Sequence, residues 1–201
     1  RNSDSILALD LLSTGLPSIL AGRILGKKTV IRMGGDFLWE KYVESGKGKV
    51  TMTEFYSKGL YQVYPILNWL AALTLRWANF IAFTTSFQRD LFIKYFDLNY
   101  QKTMILDNIF EKESGRGAPY QEIPKTILWA GRFIKLKNLD FLLKVFQRLI
   151  KYDNNLILEL VGDGPEKSNV VNAIRVLGLS DKVKIYNSLG RNLLFDKINK
   201  S

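Results

Sequence analysis

TILWAGRFIKLKNLD, residues 126–140, decides how the rest of the chain is read. Ile127-Leu128-Trp129-Ala130 is an apolar run of strand length, and Gly131 breaks it. Arg132 and Lys137 follow the break. Leu139, Leu142, Leu143, Phe146 and Leu149 then recur at spacings of three and four, the pattern of a helix with one apolar face. The order is strand, basic loop, helix. In an open α/β sheet, ligands sit at the carboxyl ends of the strands. A glycine there admits close backbone approach, and two cations beside it favour an anion. The guanidinium fork of Arg132 with the mobile point charge of Lys137 suits a diphosphate; a solvated basic loop is the competing reading.

The following residues repeat the rhythm. Leu156 to Val161 (LILELV) is a second apolar strand and ends in Gly162-Asp163-Gly164-Pro165. Pro165 is placed for the first turn of a helix carrying Val170, Val171, Ile174 and Leu177, with Gly178 as its C-terminal stop. A third strand, Val183 to Tyr186, comes at once. Strands alternating with helices imply a parallel sheet with right-handed crossovers.

Taken together, ILWAGRFIKLKN (127–138), FLLKVFQRLI (141–150), LILELVGDGPEK (156–167) and LGLSDKVKIYNSLG (177–190) resemble the C-terminal domain of family-4 retaining glycosyltransferases. The resemblance implies the GT-B architecture: an α/β protein with two Rossmann-like parallel-sheet domains. It further implies that Gly131, Arg132 and Lys137 hold the diphosphate of a nucleotide-sugar donor, with Gly162 and Gly164 in the supporting turn. The glycine usual after the lysine is Asn138 here. Retention of anomeric configuration is implied by the family alone. No Asp-x-Asp pair occurs, so neither a metal nor another cofactor is expected; the nucleotide sugar is a substrate.

The chain has 201 residues, 47% apolar and 24% charged, an ordinary globular balance. It contains no Cys and no His. Thiolate chemistry, a histidine base, a histidine metal ligand and a Ser-His-Asp triad are therefore excluded. The formal charge is +10, spread over both halves, which favours anionic partners without choosing among them.

Ser5 to Leu9 reads as a short strand and Gly15 to Leu25 as a helix, with Ser13 or Thr14 as its cap. Gly22 and Gly26-Lys27-Lys28-Thr29 imitate a phosphate-binding Walker loop. The spacing is one residue short and the segment enters a strand, Thr29 to Met33, so that assignment fails. The strand ends in Gly34-Gly35-Asp36, followed by Phe37-Leu38-Trp39-Glu40. The resemblance extends here to relatives with a Gly-Asp-aromatic-x-Trp-Glu pattern. It places Asp36 and Glu40 as catalytic candidates facing the acceptor or the transferred sugar, Asp36 as hydrogen-bond acceptor or weak base, with Gly34 and Gly35 shaping the loop. The alternative is that Asp36 caps the next turn and Glu40 lies on the surface.

Residues 41–53 read as a mobile polar loop. Pro65 to Leu75 is apolar but too short to span a bilayer; it fits core packing, and its aromatic residues on a basic background permit contact with a membrane surface. A strand from Phe80 to Thr84, a helix capped by Ser86 and running to about Phe96, and a strand from Thr103 to Leu106 complete the first part. Residues 111–124 (EKESGRGAPYQEIP) form the linker between an N-terminal, acceptor-side domain over 1–110 and a donor domain over 125–201.

The resemblance implies further elements that these residues do not contain: opening strands with a glycine-rich loop, and a later pair of glutamates eight positions apart. Both domains are thus expected to be incomplete, as in an internal fragment of a longer enzyme that is inactive by itself. The expected partners are a nucleotide-sugar donor and a glycan or lipid-linked acceptor, with no nucleic acid, in cell-envelope glycan synthesis on the cytoplasmic side. Three other functions compete. A dinucleotide-dependent oxidoreductase needs a third glycine where Lys167 stands. A nucleic-acid module needs a clustered basic stripe with stacking aromatics, which the sequence lacks. A non-catalytic nucleotide-sugar binding domain keeps the donor loop and stays open.

Overall fold

Alternation becomes a strand when one side of it is buried against helices. In β2 (Lys28–Met33), Thr29, Ile31 and Met33 are buried and their neighbours are not. The structure, a computed structural model, describes residues 3–108 and 126–198. The chain divides into two compact units, residues 1–111 and 112–201. The linker expected over 111–124 lies outside the described residues.

Unit 1 holds four parallel strands in sequence order: β1 (Ser5–Ala8), β2, β3 (Phe80–Phe83) and β4 (Thr103–Ile105). Helix α1 (Gly15–Leu25) joins β1 to β2. Helices α2 (Phe37–Glu44), α3 (Met52–Ser57) and α4 (Pro65–Trp77) join β2 to β3, and α5 (Ser86–Phe96) joins β3 to β4. Right-handed crossovers between strands laid down in one direction put every helix on the same face. The core shows this: Ile19, Leu38, Phe55, Leu75 and Phe92, one from each helix, meet Ile31 and Phe83 of the sheet. On the other face Leu7 and Phe80, register neighbours of Val30, stay exposed. There Arg32 hydrogen-bonds Asn108, and its register neighbour is the small Ala82.

The polar stretch 41–53 is more ordered than its composition implies. Helix α2 runs to Glu44 and buries Leu38, Tyr42 and Val43; α3 starts at Met52. A capping box opens α3: the Thr51 side chain accepts from the Glu54 amide, and the Glu54 carboxylate accepts from the Thr51 amide. The turn between them is tied down by Trp39 Nε1, which donates to the Val50 carbonyl at 2.8 Å. Two caps also differ from expectation. Thr85, not Ser86, caps α5. Thr14 precedes α1, but its hydroxyl accepts from the Leu9 and Asp10 amides and donates to Asp10 Oδ2.

Pro65 starts α4 as its first residue, where the missing N–H costs nothing. This helix buries Ala71, Thr74 and Leu75, while Ile66 and Trp69 on its other side are 71% and 61% exposed. Among the described residues no helix is long and apolar enough to cross a membrane.

Unit 2 has parallel strands β5 (Thr126–Ala130), β6 (Ile157–Val161) and β7 (Val183–Tyr186) in that order. Helices α6 (Leu139–Leu149) and α7 (Lys167–Val176) pack on one face through Leu139, Leu143, Phe146, Val170 and Ile174, over Leu158 and Leu160. α8 (Arg191–Ile198) reaches back to the sheet. Its Lys197 donates to Glu159 Oε2 at 2.5 Å, and Tyr186 donates to Glu159 Oε1 at 3.0 Å. Partial burial pulls the Glu159 carboxyl upward, but these donors and the Lys197 charge leave it below its ordinary value.

Candidate functional site

Two loops at the carboxyl ends of β5 and β6 are joined by backbone hydrogen bonds. Gly131 N donates to Val161 O at 2.9 Å, Phe133 N to Asp163 O at 2.9 Å, and Glu166 N to Phe133 O at 3.0 Å. The approach requires glycine on the β6 side. Gly162 has φ +151°, and a Cβ there would lie 1.9 Å from the Gly131 carbonyl oxygen. Gly164 has φ +156°, and its Cβ would lie 2.4 Å from Phe133 O. Neither position accepts a side chain.

Phe133 is the anchor of this pair. It is fully buried, and its ring meets Trp129 edge-on with centroids 5.5 Å apart. Arg132 and Lys137, on either side of it along the loop, are exposed, Lys137 at the end of a 3₁₀ turn spanning Lys135–Lys137. Among the described residues neither takes part in an ion pair. Asn138 follows with φ +48°, ψ +47°, a left-handed conformation that glycine adopts freely and asparagine tolerates. The change from the usual glycine therefore keeps the turn.

The β6 loop is braced sideways. The Gly164 amide and the Lys167 charge hold the Asp163 carboxyl below its usual range. Lys167 Nζ also donates to Asn187 Oδ1 at 2.7 Å, linking the ends of β6 and β7. Helix α7 starts only at Lys167, so Pro165 lies in the turn before it and not in its first turn. The Glu166 amide, just before the helix, donates to Phe133 O.

In unit 1, a cavity of about 390 Å³ opens at the carboxyl ends of β1 and β2, lined in part by Asp10, Ser13, Gly34, Gly35, Phe37 and Glu40. The carboxylate of Glu40 lies against Gly35, where an added Cβ would sit 2.3 Å from its Oε1. Gln88, buried beneath, donates to the Gly35 carbonyl at 3.0 Å. Asp10 fixes the opposite wall: Ser13 Oγ and Thr14 Oγ1 donate to its Oδ2, and the Thr14 amide to its Oδ1. Burial opposes the charge on Asp10, but these bonds outweigh it and lower its pKa.

Asp36 does not line this cavity. It is 1% exposed and caps α2, its Oδ1 accepting from the Leu38 and Trp39 amides at 3.0 and 3.2 Å. Of the two readings of Asp36, the structure shows the capping one, at the start of the helix that carries Glu40. Its second oxygen and the Tyr56 hydroxyl are both buried without a completed hydrogen bond. Burial raises the Asp36 pKa above its ordinary 3.8, against the opposing influence of the Tyr56 hydroxyl and the two amides. The folded chain then binds a proton more tightly than the unfolded chain, so stability falls as pH rises from about 3.8 through the raised value. Asp36→Asn keeps the cap, removes the buried charge and turns an N–H toward Tyr56. It is expected to be more stable than the parent at pH 7, with the gap closing near pH 4. Urea unfolding at the two pH values checks this; a variant weaker than the parent at pH 7 contradicts it.

The sequence reading named Gly131, Arg132, Lys137, Gly162 and Gly164, which lie on the two joined loops, and Gly34, Gly35 and Glu40, which line the unit 1 cavity. It missed Phe133, the Asp10–Ser13–Thr14 cluster and the Lys167–Asn187 link. The spacing Asp10-x-x-Ser13-Thr14 is a readable signal for a side-chain-braced turn. Among the described residues no group of three or more His, Cys, Asp or Glu is assembled to hold a metal ion.

Comparison with known proteins bears on both units. Residues 112–195 match the family described as glycosyl transferases group 1. An uncharacterized glycosyltransferase of Haemophilus influenzae is 41% identical over 59 residues, covering 29% of this chain and 17% of that protein. Three solved structures share the fold. Anabaena HepE, in complex with UDP and glucose, has a TM-score of 0.60 at 16% identity, covering 93% of this chain and 48% of its own. The lipopolysaccharide outer core galactosyltransferase WaaB, in apo form, has 0.57 at 17%, covering 98% and 48%. A TarM variant from S. aureus, in complex with fondaparinux, α-GlcNAc-glycerol and UDP, has 0.59 at 16%, covering 87% and 31%. The chain spans less than half the length of each of these relatives. Residues 112–195 thus match the glycosyl transferases group 1 family, in a chain whose two parallel sheets follow the fold of GT-B glycosyltransferase structures.

Proposed function

We propose that the chain is part of a retaining glycosyltransferase that moves a sugar from a nucleotide-diphosphate sugar to an acceptor hydroxyl, in the synthesis of cell-envelope glycan. The observation that carries the reading is the joined loop pair of unit 2, with Arg132 and Lys137 presented outward from a buried Phe133. The bond from the anomeric carbon to the diphosphate oxygen breaks with its electron pair on the diphosphate. Arg132 and Lys137 neutralise that growing charge, an effect that is stronger in the transition state than in the bound donor. The acceptor oxygen bonds to the anomeric carbon, and its proton passes to the departing diphosphate oxygen. Glu40, with its carboxylate at the unit 1 cavity, accepts a hydrogen bond from a hydroxyl of the acceptor in this scheme. No metal is assigned a part.

Calorimetry of UDP, GDP and ADP on the full-length protein tests the donor site. One nucleotide is expected to bind. Arg132→Ala and Lys137→Ala should each weaken it by about 1.5–3 kcal/mol, the range for charge-assisted hydrogen bonds. Binding that ignores both substitutions in folded protein would remove the assignment.

A further inference from the structure

The acceptor side carries a charge pattern opposite to that of the whole chain. The protein is +10 overall, yet the described residues lining the unit 1 cavity include Asp10 and Glu40 and no Lys or Arg. Asp10 is held ionised by its hydrogen bonds from Ser13 and Thr14. Among the described residues no donor reaches the Glu40 carboxylate, although it is half-buried against Gly35. Its acceptor positions therefore remain available to whatever enters. The exposed Ser13 hydroxyl, while donating to Asp10, keeps its own lone pairs for a ligand hydroxyl. Phe37, 43% exposed, adds an aromatic wall, and Leu9 adds apolar surface.

Each part selects for the same chemistry. Ionised carboxylates accept hydrogen bonds and donate none, so they pair with hydroxyl or ammonium groups. Two of them in one partly enclosed space repel phosphate and carboxylate, and a repulsive element of this kind is how a site rejects the wrong partner. An aromatic face complements the C–H face of a sugar ring.

We propose that this cavity binds the acceptor through an uncharged or amino sugar and excludes phosphorylated and acidic sugars. The inference rests on the transferase reading above and goes further by naming the acceptor class. Anionic groups are steered instead to the basic donor loop of unit 2. Glu40 takes the discriminating position, Phe37 supplies the platform, and Asp10 shapes the wall.

Saturation-transfer NMR on the full-length protein tests this. The neutral probes are the methyl glycosides of glucose, galactose, mannose and N-acetylglucosamine; the anionic probes are glucuronate and glucose 6-phosphate. At least one neutral glycoside should give a signal on the order of ten times that of either anion. Glu40→Gln and Phe37→Ala, with unchanged melting temperature, should each reduce the neutral signal several-fold. Glu40→Gln should also raise glucuronate relative to the neutral probe, which loss of structure alone would not do. Arg132→Ala should weaken binding of the preferred nucleoside diphosphate by about tenfold or more and leave glycoside binding intact. Glycoside binding without any nucleotide binding would overturn the donor assignment and spare this one. Anions binding as well as neutral sugars, no glycoside binding at all, or a neutral signal indifferent to both unit 1 substitutions would overturn the proposal.

Discussion

Alanine at Gly162 is expected to destabilise unit 2 by about 3–5 kcal/mol, combining backbone strain with steric overlap. The overlap is with backbone: the added Cβ would lie 1.9 Å from the Gly131 carbonyl oxygen. No rotamer change relieves such a contact. The loops must separate, and the hydrogen bonds Gly131 N–Val161 O and Phe133 N–Asp163 O are lost with the movement. Gly178 is the internal control. It has φ +68° after α7, and nothing lies within 4 Å of the position a methyl group would take there. Its alanine variant carries the conformational cost alone, about 1 kcal/mol. Urea unfolding followed by hydrogen exchange over β5, β6 and β7 separates the two. Equal costs at Gly162 and Gly178 would mean that loop contact contributes nothing.

Phe133→Ala should cost about 3–5 kcal/mol, the usual range for a buried phenylalanine. Phe133 is fully buried, packs edge-on against Trp129 and joins the cluster of Leu139, Phe146 and Leu160. Its backbone holds both neighbours of the second loop, through Asp163 O and Glu166 N. Phe133→Leu keeps most of the volume and all of that backbone pairing, so its cost should stay below about 1.5 kcal/mol. In protein that remains folded, the alanine variant should also bind nucleotide more weakly, because the loop presenting Arg132 loses its anchor. Urea midpoints for both variants, read with Trp129 fluorescence as the local reporter, decide the matter. An alanine variant no weaker than the leucine variant would show that the loop is held by its backbone alone.

These two residues show where sequence reasoning stops. Gly162 is readable as part of a loop after a strand, since an apolar run ending in Gly-Asp-Gly-Pro has few other interpretations. Its contact with Gly131 is not readable, because it joins residues 31 positions apart whose spacing carries no local period. Phe133 looks like one apolar residue within a basic loop; only the packing of β5 and α6 makes it a core residue. Residues 41–53 depart from expectation for a related reason. Their lysines and glycines resemble a loop, and residues 45–51 lie outside any helix; only the ends are helical, 41–44 closing α2 and 52–53 opening α3, because Tyr42, Val43, Phe55 and Tyr56 find a core to bury in. The Thr51-x-x-Glu54 capping box is the local signal for the second of them.

Apolar period and glycine placement in the sequence were enough to determine two runs of alternating strands and helices, and hence parallel sheets with loops at their carboxyl ends. They also determined that Arg132 and Lys137 follow such a strand. Those features depend on residues within a few positions of one another. Only the tertiary structure decided that Asp36 is buried beneath α2 while Glu40 stands at the cavity, and that the unit 1 cavity is acidic in a basic chain. Burial and electrostatic environment are set by groups brought together from distant parts of the chain. A carboxylate's surroundings therefore follow from its solvent and its neighbours, and four residues of sequence separation were enough to divide two carboxylates between cap and cavity.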